Sequence, residues 1–196
     1  MEVYRNVISE KIRHLTNGSK VIFALLICEK LWHNYVFFSE KSKFGNPSEL
    51  AAIISDLYKN PFKNNNISLD DYVRRIESIT PDTDNYDTIL VSFALDACTS
   101  VLSTLYFLKD SNIEHITDVA IYATDTVDMY IQERDDLDTK ESKLEMLIEQ
   151  DFFMQSEKKR QIQVIEYLKN IDSITQKNLE DLRNLGTQSI IDLNLL

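Results

Sequence analysis

Two stretches of this chain make a helix apolar nearly all round. In "VIFALLICEKLWHNYV" (21–36), Val21, Ile22, Phe23, Leu25, Leu26, Leu31, Trp32, Tyr35 and Val36 surround the axis. Between Tyr86 and Leu108, Ile89, Leu90, Phe93, Ala94, Ala97, Cys98, Val101, Leu102 and Leu105 nearly encircle a second one. Such helices belong at the centre of a core, enclosed by others. A membrane span needs roughly 20 consecutive apolar residues, and the most apolar run, Val21–Cys28, is far shorter. At 196 residues the chain can supply the enclosing elements without disulfides or metal. Three glycines and three prolines are too few turn signals for a sandwich or barrel. The expectation is an all-α fold: one compact bundle of about eight helices, residues 1–196 forming a single domain.

The remaining helices read as one-faced. Val3, Val7, Ile8, Ile12 and Leu15 give a first helix, stopped by "TNGS" (16–19). The central helix follows over about 20–40. Asn46 as N-cap, Pro47 at N1 and Glu49 at N3 open a third, running to about Lys59. "NPFKNNN" (60–66) is a polar loop. Ser68 with Asp71 resembles a capping box for a short helix to about Ile79. After the second central helix, Ser111 and Glu114 form another box, and that helix reaches about Gln132. A further helix runs from about Lys140 to Asn170, with an irregular middle, "FFMQSEKKRQ". Ser173 with Gln176 caps the last, with Leu179, Leu182 and Leu185 inward and Gly186 as its stop.

Little of this carries catalytic chemistry. Glu29 and His33 share a helix face, but di-iron bundles need Glu-x-x-His twice plus two further glutamates. "DTDNYDTILVSF" (82–93) fails as a calcium loop, having Asp at the glycine position and Phe at position twelve. Its acids read instead as the start of a helix, where the macrodipole favours them. Cys28 and Cys98 lie in apolar runs without an activating neighbour, so they read as buried thiols in a reducing compartment. No phosphate-cradling glycine loop or nucleophile elbow occurs. Asp96, with Ser92, Thr99 and Ser103, makes a narrow polar stripe that reads as an interhelical hydrogen-bond network. The chain therefore reads as a non-enzyme without cofactor or metal. With no signal-peptide pattern in "MEVYRNVISEK", it reads as cytoplasmic.

The charge is unevenly placed. The net charge is −11, and residues 81–151 hold seventeen acids against four bases. Such a segment repels nucleic acid and anionic membranes. Concentrated like charge costs stability by self-repulsion and exceeds what solubility requires, so a cationic partner is the reading with a purpose. Glu114, Asp118, Asp125 and Asp128 follow helical spacing away from the apolar face; Glu133, Asp135, Asp136, Asp138 and Glu141 continue beyond it. Tyr122, Met129 and Tyr130 stand among them as candidate desolvated anchors.

Three segments carry a family resemblance. "FALLICEKLWHNYVFFSEKSKFGN" (23–46), through Cys28-Glu29, Asn34-Tyr35, Phe38 and Phe44-Gly45, resembles the signature of the YjaG-like family of uncharacterised bacterial proteins. "PDTDNYD" with "ALDAC" (81–87, 94–98) and "LEDLRNLGTQSI" (179–190) resemble its later stretches, in the same order. The resemblance implies a compact all-α fold and no known activity or cofactor, so no catalytic residue carries over. The Asn-, Lys- and Ile-rich composition and the polarised charge suit an accessory gene. On that basis the chain reads as an immunity protein whose acids occlude a basic toxin domain, an RNase or DNase. The alternative is a housekeeping helical protein that binds an endogenous partner or a small ligand. Oligomeric state is not legible.

Overall fold

The computed structural model describes residues 2–59, 68–138, 143–186 and 189–196. Among the described residues it is all-helical. In chain order the α-helices are α1 (Glu2–Arg13), α2 (Asn17–Ser42), α3 (Pro47–Lys59), α4 (Leu69–Ile79), α5 (Leu90–Asp110), α6 (Ile113–Arg134), α7 (Leu144–Gln150), α8 (Phe152–Lys169) and α9 (Gln176–Arg183). Single 3-10 turns lie at Thr83–Asn85 and Leu193–Leu195. The 60–66 loop falls outside the described residues.

The two nearly all-round apolar helices form the centre. The pairing of α2 with α5 is the most extensive in the molecule, and α6 packs across both. Every residue from Val21 to Cys28 is buried, as all-round apolarity requires. By length and composition alone α2 and α5 could each cross a bilayer; here α3, α4, α6 and α8 enclose them, with α1 packed on α6 and α8, within one apolar core. Of the polar groups sealed in this centre, the Asn34 side-chain amide and the Ser100 hydroxyl have no hydrogen-bond partner among the described residues, whereas Thr104 and Cys28 are matched locally. The Thr104 hydroxyl donates to the Ser100 carbonyl at 2.9 Å, which leaves the Cys28 thiol to donate to Thr104 Oγ1 at 3.7 Å.

Several boundaries differ from the sequence reading because caps are decided by backbone dihedrals. "TNGS" does not only end α1: Thr16 N-caps α2, its hydroxyl accepting from the Ser19 amide at 3.1 Å. Ser68 makes no side-chain cap bond. Ser111 is the left-handed C-cap of α5 (φ 58°), and Asn112 caps α6 instead, accepting from the Glu114 amide. The acids of 82–87 do not open α5. Asp82 caps the 3-10 turn, and α5 begins at Leu90. The expected helix over 140–170 is broken at Asp151, which ends α7 and caps α8 through the Phe153 amide at 2.7 Å. Thr175 and Asn178, not Ser173 and Gln176, form the box of α9.

Two of the family-resembling pairs have a structural explanation. Tyr35, fully buried on α2, donates its hydroxyl to the Ile79 carbonyl at 2.6 Å and accepts from the Asn46 amide at 3.1 Å. Burial pushes its pKa up to about 12, so it stays a donor. Gly45 holds φ +90°, and a Cβ there would collide with that hydroxyl. Phe38, Phe44 and Tyr86 stack edge-on beside it, with centroids 5.0–6.5 Å apart. One phenol therefore closes the ends of α4 and of the α2–α3 turn. Tyr35→Phe strands a carbonyl and an amide and is expected to cost about 1–3 kcal/mol, a loss of roughly 3–10 °C in Tm. Gly45→Ala should cost more, adding backbone strain to a clash. A Tyr35→Phe thermal melt within a degree of the parent would dismiss this role.

Candidate functional site

The expected acidic surface lies on α6 and the turn after it, and the structure divides it in three. At the N-terminal end the charge is neutralised from far away in sequence. Arg5 of α1 binds Glu114 at 3.1 Å and Asp118 at 2.5 Å. Tyr122 is half-buried; burial, then the Asp118 charge, raises its pKa. At the C-terminal end Arg134 grips Asp135 through two bonds (2.6 and 2.7 Å) and reaches Asp151 at 2.8 Å. Glu133, Asp136 and Asp138 are exposed there, Asp136 in the left-handed region at φ 49°. Glu141 lies outside the described residues.

The middle holds the unexpected feature. Asp96 of α5, read from sequence as part of a separate polar stripe, joins this surface. Its carboxylate accepts from the Thr126 hydroxyl of α6 at 2.7 Å, and the Asp125 carboxylate is close enough to act on it. Burial, reinforced by Asp125, pushes Asp96 up to about 7 against the lowering effect of the Thr126 bond. Burial, then Asp128, pushes Asp125 up to about 6. Asp128 accepts from the Gln132 side chain at 2.5 Å. Among the described residues no lysine or arginine closes an ion pair with Asp125, Asp128, Glu133 or Asp136.

The proposed anchors fare less well. Tyr130 is fully buried, edge-on to Phe153 at 5.0 Å with the Arg134 guanidinium over its ring, so it cannot be a surface anchor. Met129 is half-buried against the core. The sequence spacing placed both near the acids but did not distinguish the flank of α6 from its inner face.

A second site lies between α2, α3 and α9. A pocket of about 700 Å³ is lined by Glu29, Lys30, Trp32 and His33 of α2, Tyr58 of α3, and Gln176 and Arg183 of α9, among others. Glu29 and His33 do share a face, as their spacing required. Glu29 is engaged by Arg183, which bonds it at 2.7–3.1 Å and lies 4.8 Å over the Tyr58 ring. Burial, then the positive charge of Lys30, lowers the pKa of His33. Asp96 is not part of this wall. Both thiols are sealed elsewhere, and burial pushes Cys28 and Cys98 each up to about 12, far from a nucleophilic thiolate.

Comparison with known proteins gives a consistent result. The family described as "Protein of unknown function (DUF416)" matches residues 7–191. The chain is 25% identical over 157 residues to the uncharacterised protein YjaG of Salmonella typhimurium, covering 78% of this chain and 80% of that one. It is 26% identical over 127 residues to YjaG of Escherichia coli, covering 64% and 65%. It is 23% identical over 143 residues to an uncharacterised protein of Haemophilus influenzae, covering 71% and 73%. The crystal structure of a DUF416 family protein from Shewanella baltica superposes with a TM-score of 0.80 at 25% identity, covering 89% of this chain and 90% of that one. The resemblance read from residues 23–46 and the later stretches is thus borne out, and so is the all-α fold.

The Asp96 cluster makes a pH-dependent prediction. An unfolded aspartate titrates near 3.9. Between that value and about 7, folded Asp96 keeps a proton the unfolded chain has released, so its contribution to stability falls as pH rises through this window. Asp96→Asn keeps an acceptor for Thr126 and removes the charge. Its Tm should exceed the parent's by roughly 5 °C near pH 8 and by almost nothing near pH 4.5. A gain independent of pH, or a loss near pH 8, would show that Asp96 is not held near neutrality by burial.

Proposed function

Because the chain belongs to the DUF416 family, whose description assigns no activity, we propose from its own surface that it is a non-catalytic binding protein for a basic protein domain. The observation that supports this is the row of Asp125, Asp128, Glu133 and Asp136, which no ion pair neutralises among the described residues. Elsewhere along α6, Arg5 from α1 and Arg134 at the helix end show how this chain pairs the carboxylates it neutralises. Keeping four acids near one another without an ion pair costs self-repulsion, and a cationic partner would recover that cost. In its sharpest form the partner is a nuclease toxin domain whose phosphate-binding cleft these acids fill, and the chain is its immunity protein in the cytoplasm. The partner interface narrows to the stretch from Asp125 to Asp138, since Glu114 and Asp118 are committed to Arg5.

The test uses the full chain immobilised and exposed to lysate of the native strain at low salt. A basic protein should be retained, released by raised salt, and identified by mass spectrometry. The double variant Asp128→Lys/Glu133→Lys should slow association with that protein by roughly tenfold, while Glu77→Lys, an exposed acid on α4, should leave it unchanged. If no basic protein is retained, or the reversals leave the association rate untouched, the acidic flank is only a solvated surface. The housekeeping alternative is favoured by a different observation, the pocket between α2, α3 and α9.

A further inference from the structure

We propose that the groove between α2, the start of α8 and the C-terminal 3-10 turn is the apolar anchor pocket of the interface, taking Leu or Phe side chains from a lysine- or arginine-rich segment of the partner. The inference deepens the reading of the acidic flank as a partner surface, and rests on it.

The argument begins with what that flank lacks. A tight interface is held by desolvated apolar anchors, while the charges around them mostly set approach and orientation. Tyr130 is buried and Met129 packs against the core, so the flank offers a rim without a centre. The centre lies one side chain away. The Arg134 guanidinium that bonds Asp135 and Asp151 also lies 5.7 Å over the Phe153 ring, a wall of the groove. Asp151 caps α8 and so sets Phe152 at its first position. Phe153 takes the inner place, edge-on to Tyr130, and Phe152 stands edge-on to Phe153 at 5.7 Å. Phe152 is left 71% exposed, the one exposed aromatic side chain among the described residues. The groove it borders has a volume of about 540 Å³, walled by Val36, Phe37, Phe153 and Leu193, which is room for apolar side chains. Leu195, in the same turn as Leu193, adds another exposed apolar side chain.

Charge selects the partner. Glu40 and Asp192 line the groove, and neither closes an ion pair among the described residues. Asp192 spends its carboxylate on the Asn194 amide and side chain. His33, also in the wall, has its pKa lowered by burial, then by Lys30, so it adds no charge at neutral pH. Lys41 lies 5.2 Å over the Phe37 ring, and the Arg134 charge is offset by Asp135 and Asp151. Two carboxylates therefore stand against one lysine. An apolar segment flanked by cations fits this rim, and one flanked by acids is repelled.

The full chain is passed over three immobilised peptides: a lysine-rich one with a Leu-Phe-Leu centre, a lysine-rich one with a Ser-Thr-Ser centre, and a glutamate-rich one with the Leu-Phe-Leu centre. The first should bind saturably and roughly tenfold more tightly than the second, and the third should not bind. Phe152→Ser should abolish the preference for the apolar centre by raising the dissociation rate, with the association rate kept. Val3→Ser, at another exposed apolar position, should change neither rate. Glu40→Lys should weaken binding of both lysine-rich peptides. Asp128→Lys/Glu133→Lys should slow association and keep the preference. If those reversals act and a natively melting Phe152→Ser does not, the groove proposal is overturned and the flank reading survives. If Phe152→Ser acts and the reversals do not, the groove stands and the flank reading fails. No saturable binding of the first peptide, or equal binding of the first two, overturns the proposal. So does a dimer in solution that Phe152→Ser converts to monomer, since the groove would then join copies of this chain. Should Phe152→Ser fail to fold, unchanged affinity of Glu40→Lys for the first peptide overturns the proposal equally.

Discussion

Everything in this molecule follows from the burial of two helices that are apolar nearly all round. α2 and α5 pair along their length, and neither could be stable alone. Each Leu, Ile or Phe they remove from solvent contributes of the order of 1.5–3 kcal/mol, an upper range because unfolded chains are partly compact. The surrounding helices are recruited by that pair. α1, α3, α4 and α8 each need only one apolar face, and their outer faces are free to carry charge. This is why nearly all the chemistry of interest lies on the outer layer or in the seams between it and the centre. The Asp96–Thr126 bond sits in the seam of α5 with α6, and the pocket lined by Trp32 and Tyr58 in the seam of α2 with α3 and α9.

Enclosing the pair also requires charged groups inside. Glu157, Arg160 and Gln161 of α8 are each less than 5% exposed. Glu157 accepts from Arg160 at 2.5 and 2.7 Å and from Gln161 at 2.9 Å, while Gln161 donates to the Ala120 carbonyl and accepts from Tyr4. The network ties α8 to α6 and α1. Compared with a well-packed apolar substitute it adds little stability, but removing one partner would leave a buried charge alone. Gly186, at φ +79°, brings the chain against the Arg160 side-chain carbons, which close the outer side. In sequence this cluster was only the irregular middle of a long helix.

The central helices, most boundaries to within a few residues, and the Asn46–Pro47–Glu49 start were legible because periodicity and capping are local. What was not legible depends on distance or on dihedrals. Ser111 and Asn112 are both good cap residues; the left-handed turn that links α5 to α6 chooses between them. Asp151 ends one helix and starts another, which composition cannot distinguish from a continuous run. The acidic surface was overestimated at one end and underestimated in the middle. Arg5 lies 109 residues from Glu114, and nothing local announces that it cancels it. Asp96 lies on another helix, and only the α5–α6 packing brings it to Asp125. Glu29 and His33 were seen as a shared face, but the roof that makes them a pocket comes from Arg183, 154 residues from Glu29.

The same packing makes the formal charge of the flank a poor guide to its effective charge. Burial, with Asp125 acting on Asp96 and Asp128 on Asp125, moves these two carboxyls up to about 7 and about 6 instead of the usual carboxylate range. At the end of α6, Arg134 offsets Asp135 and shares Asp151. The field a partner meets at neutral pH therefore comes from Asp125, Asp128, Glu133 and Asp136, and it weakens as the medium acidifies through about 6, where Asp125 regains its proton.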